Sequence, residues 1–122
     1  MKDNSITAVR ILKYSRAWKL LGATDIGGGY TNMFEGIYIP FDAASLRMTQ
    51  IGSTLIVHTG REMYGMEEIH HQSNITFVIN TQDMTLINSD MPYCSHSLNQ
   101  FVVNDGSHVY FSGSWGMLIT GV

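Results

Sequence analysis

The chain has 122 residues, room for one domain and too few for two of ordinary size. A hydrophobic share of 44% with 14% charged residues argues against a disordered chain, and a net charge of −3 without a Lys/Arg cluster argues against a phosphate-binding nucleic-acid surface. No apolar run reaches the ~18 residues of a membrane helix, no signal peptide is visible, and the single Cys94 has no partner for an internal disulfide.

In chain order, residues 8–14 read as a first β-like run with Val9, Ile11 and Lys13 on one face. Residues 14–17 read as a turn and 18–21 as a short strand ended by Gly22, with a helix over 16–21 as the competing reading. Residues 23–44 read as a long connection carrying Gly27, Gly28 and Gly29. No Lys-Ser/Thr follows the glycines, so a flexible loop is expected there and not a phosphate cradle.

Residues 45–50 alternate as a half-buried strand with Leu46 and Met48 on one face, 51–53 turn, and 54–59 form the next strand. A charged and aromatic stretch follows, then a strand over 74–79, a turn at 80–83 and a short strand over 84–87. Residues 88–96 are a second connection. A strand over 98–103, the hairpin signal Asn104, Asp105 and Gly106 and a partner strand over 108–111 complete the pattern, and the tail from Ser112 stays ambiguous.

The pattern repeats. Residues 11–21 superpose on 77–87 as strand, turn and short strand, and Ser45-Leu46, the Gly52-Ser53 turn and residues 54–57 superpose on Ser97-Leu98, Gly106-Ser107 and residues 109–111. The fold expected is all-β, built of antiparallel four-stranded blade-like repeats. The segment would be a fragment of a β-propeller holding about two blade equivalents: strands C and D of one blade over 8–21, a complete blade over 45–87, and strands A and B of a following blade over 97–112. The alternative is a small β-sandwich. Single blades do not bury both faces alone, so partners are expected, either the remaining blades of the same protein or further copies.

At Lys13, Tyr14, Ser15, Trp18 and Gly22, at Phe41, Asp42, Leu46 and Met48, at His58, Thr59, Arg61 and Tyr64, at His70, His71, Gln72 and Phe77, and at Ser95, His96, Asn99 and Phe101, the chain resembles a group of uncharacterised bacterial repeat proteins. These are large secreted or cell-surface proteins whose repeats look like β-propeller blades. The resemblance runs from about Val9 to Gly106 and implies an extracellular or cell-surface parent protein, of which this chain is a segment. Where relatives carry an acidic Asp-Gly-Asp segment after the last strand, this chain has Ser112-Gly113-Ser114-Trp115-Gly116.

In an up-and-down meander the connections over 23–44, 60–69 and 88–96 emerge on one side. That side collects the candidate ligand-binding residues Tyr30, Phe34, Tyr38, Arg61, Glu62, Tyr64, His70, His71 and His96, because function favours loops on a rigid scaffold. Tyr30, Phe34 and Tyr38 offer aromatic faces to sugar rings, or cover for a neighbouring blade. His70 and His71 are adjacent, so on a strand they point to opposite faces and do not share one metal. No metal site is therefore assigned, and no cofactor is expected; a Ca²⁺ role for Glu67 and Glu68 with Asp42 or Asp90 is the alternative.

No nucleophile constellation stands out, since Gly113-Ser114-Trp115-Gly116 lacks the spacing of a hydrolase elbow. No catalytic residue is assigned. The function expected is a non-catalytic propeller segment that binds a ligand, with carbohydrate as the class considered, or mediates adhesion through its loop face. A propeller-type hydrolase or lyase with its site on that face is one alternative, and a structural spacer is another.

Overall fold

The computed structural model describes residues 7–27, 45–64, 70–90, 100–113 and 116–121. They form nine strands: β1 (Thr7–Tyr14), β2 (Leu20–Gly27), β3 (Arg47–Ile51), β4 (Thr54–Tyr64), β5 (His70–Asn80), β6 (Thr85–Asp90), β7 (Phe101–Asn104), β8 (His108–Gly113) and β9 (Gly116–Gly121). The strands make three sheets, ordered β1-β2, β3-β4-β5-β6 and β7-β8-β9. Every pairing is antiparallel. The chain is all-β.

Several boundaries move from where the pattern of residue types set them. No helix forms over 16–21. Trp18 instead takes a left-handed φ of 58° inside the first turn, where Ser15 and Lys19 exchange turn hydrogen bonds. The second strand therefore begins at Leu20 and runs through Gly22 to Gly27, and Gly22 does not end it but packs over Met84, where there is no room for a Cβ. Met84 repeats the device with a φ of 60°, so β6 starts at Thr85 and extends to Asp90. The ambiguous tail yields β9, a strand the sequence did not announce.

Adjacent strand residues point to opposite faces, so a run buried at consecutive positions needs cover on both sides. In β4, Ile56, Val57, His58 and Thr59 are all buried. The odd-numbered face of β4 and β5, with Val57, Ile75, Phe77 and Ile79, packs with Met84 on Ile11 and Ile26 of the β1-β2 sheet. The opposite face, with Ile56 of β4 and Ile51 of β3, packs on Val102, Val109 and Phe111 of the β7-β8-β9 sheet. The four-stranded sheet is thus the middle of three layers.

Polar contacts lock each junction. Thr24 Oγ1 donates to the Met84 carbonyl at 2.6 Å, and Lys13 Nζ donates to the Thr81 carbonyl at 2.7 Å. On the other side Asn104 Nδ2 donates to Thr49 Oγ1 and to the Gln50 carbonyl. Gly22 belongs to the first junction, since an added Cβ would lie 2.8 Å from Met84 Cγ. Gly22→Ala is expected to cost about 1–3 kcal/mol by overpacking, measured as a lower denaturant midpoint with an unchanged m-value.

The registers also reveal the direction in which the layers stack. One constant shift carries β3 and β4 onto β7 and β8, matching Met48 with Val102, Leu55 with Val109, Val57 with Phe111, and the two positive-φ glycines Gly52 and Gly106. The third sheet therefore meets the middle one with the face that the middle sheet turns toward β1-β2.

The first sheet obeys the same sense once its bulge is respected. Leu21 is the extra residue opposite Lys13 and Tyr14, as Ile87 is opposite Val78 and Ile79, and both extra side chains are exposed. Aligned on the bulge, Ile11 corresponds to Thr76 and not to Phe77, which corrects the sequence superposition by one residue. Ile11 then belongs to the face that, in the middle sheet, turns toward β7-β8. All three sheets point the same way.

Candidate functional site

The β4-β5 hairpin carries five of the nine candidate residues. Its ladder continues unbroken from Thr54 opposite Asn80 to Tyr64 opposite His70, so the strands extend further than the residue pattern indicated. The register sets Glu62 opposite Gln72, Tyr64 opposite His70, Arg61 opposite Ser73 and a methionine, Met63, opposite His71. Directly opposed residues share a face, so positions 62, 64 and 70 fall on the side of His58 and positions 61 and 71 on the side of Val57. The candidate set is split between the two layers' sides. Tyr30, Phe34, Tyr38 and His96, with Asp42, Glu67 and Glu68 of the Ca²⁺ alternative and Cys94, lie outside the described residues.

Below that end sits a buried polar junction. His58 is 3% exposed, its Nδ1 lies 2.9 Å from Thr76 Oγ1, and its ring centroid is 4.8 Å from that of Phe111. Burial lowers the His58 pKa from its ordinary value, and a hydrogen bond with the Gln100 side chain opposes that shift in part. The imidazole is therefore neutral near pH 7 and serves the joint between the middle and third sheets. Ser45 ties the same region: its Oγ accepts from the Gln100 amide at 3.0 Å and its carbonyl accepts from Thr59 Oγ1 at 3.2 Å. The strand pattern marked His58 as a ladder residue but gave no sign of Gln100 or Ser45. The repeat read from the residues sets Leu98 against Leu46, whereas the strand registers match Arg47 with Phe101 and so set Gln100 there, a correction of two residues.

A second concavity lies elsewhere. An open groove of about 380 Å³ runs between β1 and the face of β3-β4, with Ile11, Leu12, Lys13, Met48, Gln50 and Leu55 among its walls. Arg10 stands at its rim, held by two hydrogen bonds to Asp25, its partner across the β1-β2 ladder. No candidate ligand-binding residue lines it. Its walls combine an aliphatic floor with a strand edge, which suits another strand better than a small polar ligand.

Among the described residues no group of three or more His, Cys, Asp or Glu side chains converges as a metal site, and no helix is long and apolar enough to cross a membrane. No family model, curated protein or solved structure matches the chain.

Proposed function

We propose that the chain is a segment of a β-propeller-like array of an exported bacterial protein, and that it binds a carbohydrate through the end of the β4-β5 hairpin. Supporting the array is the common direction of the three layers. A two-layer sandwich turns like faces inward, whereas here each sheet's back meets the next sheet's front. Supporting the binding end is the ladder from Arg61 to Tyr64 opposite His70 to Ser73, which concentrates aromatic, imidazole and charged residue types. The opposite end carries the short polar turns at Gly52 and Gly106 and between β5 and β6, together with the first turn, where the exposed Trp18 ring lies 6.0 Å from that of Tyr14.

A glycan array probed with the full chain tests this reading. Retention on a carbohydrate class is expected, lost in Tyr64→Ala or His70→Ala with the far-ultraviolet spectrum unchanged. No retention on any glycan, or retention untouched by both substitutions, overturns it.

A further inference from the structure

Among the described residues no element covers either end of the three-layer stack, and the two ends are complementary. At the front, β1 pairs only with β2 among the described residues, and its free edge borders the groove floored by Met48, Gln50 and Leu55. Met48 is 51% exposed. At the back, the outer face of β7-β8 carries Phe101 and Val103, 50% and 58% exposed, beside a half-buried Tyr110 opposite Val103. Exposed apolar side chains on an unpaired sheet edge and on a flat sheet face are surfaces that proteins ordinarily cover.

The contact that would cover them already exists once inside the chain. The back of β3-β4, with Ile51 and Ile56, sits on Val102, Val109 and Phe111. The register shift makes Met48, Leu55 and Val57 the equivalents of those three, and Phe101, Val103 and Tyr110 equivalents of Arg47, Thr49 and Ile56. The groove is therefore the seat that a β7-β8 hairpin fits, and one half of its polar lock has a counterpart there, a Gln50 amide that within the chain donates to the Gly52 carbonyl at 2.8 Å. Asn104 Nδ2 reaches the Gln50 carbonyl within the chain, and Gln50, its equivalent, stands on the groove wall.

We infer that the occupant of the groove is the β7-β8 hairpin of a second copy of this chain, paired through β8 to the free edge of β1. This completes a four-stranded sheet, β7-β8 of one copy with β1-β2 of the next. It requires β1 to take the place of β9 on the edge of β8, because both stand third in their sheets. The exchange favours β1. It has eight residues against six, no glycine inside it, and brings β2 as a fourth strand, whereas β9 begins and ends on glycine. Front meets back, so the interface is heterologous and propagates into a ring or an open filament. The inference concerns the 122-residue chain by itself; it rests on the layered-array part of the reading above, in which a neighbouring repeat takes the same seat, and is independent of its carbohydrate part.

Native mass spectrometry and light scattering of full-length chains test it. The wild type is expected to assemble with rising concentration. Met48→Glu and Val103→Glu, each at a half-exposed position that leaves the fold intact, are each expected to be monomeric. An equimolar mixture of the two is expected to give a dimer and nothing larger, because the mixture contains one sound front and one sound back. Leu118→Pro, which weakens β9, is expected to lower the concentration at which the wild-type assembly forms. A wild type that stays monomeric to its solubility limit, a mixture that stays monomeric, or assembly that persists in either glutamate variant overturns the inference. A Leu118→Pro chain that assembles no better overturns the strand exchange. Loss of assembly with glycan retention intact, or the reverse, separates this inference from the binding reading.

Discussion

Phe77→Ala is expected to lower the unfolding free energy by about 3–5 kcal/mol, the usual cost of emptying a buried phenylalanine site. Phe77 is fully buried between the middle and first sheets, in one cluster with Ile11, Ile26, Ile75 and Ile79. A domain of this size commonly has only about 5–15 kcal/mol in total, so the variant is expected to be largely unfolded at modest denaturant concentrations. The exposed control Val103→Ala, at 58% exposure, is expected to change stability by less than about 0.5 kcal/mol. Equilibrium urea unfolding followed by circular dichroism separates the two. Equal small effects would mean that the first two layers do not share a core.

The second large effect is expected at His58. Its truncation to alanine removes a ring packed at 4.8 Å on Phe111 and the hydrogen bonds to Thr76 and Gln100, and is expected to cost about 2–4 kcal/mol. The same residue sets a pH dependence. Its folded pKa lies below the ordinary 6.5, so the unfolded chain binds its proton first as the solution is acidified. The stability His58 provides is complete above pH 6.5, declines as pH falls between 6.5 and the lower folded value, and is flat below that. The slope in this window is at most about 1.4 kcal/mol per pH unit. His58→Gln is expected to flatten it. A profile from pH 7 to pH 5 that is the same in both chains would contradict the buried neutral imidazole.

Acid acts on a second group at lower pH. Asp105 accepts from Tyr110 Oη and from the amides of Ser107 and His108, which holds its carboxyl far below the usual carboxylate range. Its contribution is therefore retained through the window in which His58 titrates and is lost only on stronger acidification. The two carry separate signatures in one titration.

The period-2 alternation of β3, the apolar run of β5 and the Asn104-Asp105-Gly106 turn were legible because each is a local property of a few residues. The repeat was legible for the same reason, as a recurrence of local patterns. Trp18 and Met84 were not, since a left-handed φ on a bulky residue comes from tertiary fit and no propensity announces it. The bulges at Leu21 and Ile87 were likewise hidden, and they reverse the facing of everything upstream of them. Of the candidate site, the ordering of Arg61, Glu62, Tyr64, His70 and His71 along one hairpin followed from strand parity. The buried junction of His58, Thr76 and Gln100 did not, because its members come from strands whose proximity only the stacking of sheets creates.

The middle sheet has a separate core on each face. A methyl and aromatic nuclear Overhauser experiment on the full chain tests it most directly. Cross-peaks are predicted from Ile11 and Ile26 to Ile75, Ile79 and the Phe77 ring, and from Val102 and Val109 to Ile56, with none between the two sets. Cross-peaks joining Ile11 or Ile26 to Val102 or Val109 would show a single shared core and contradict the three-layer arrangement.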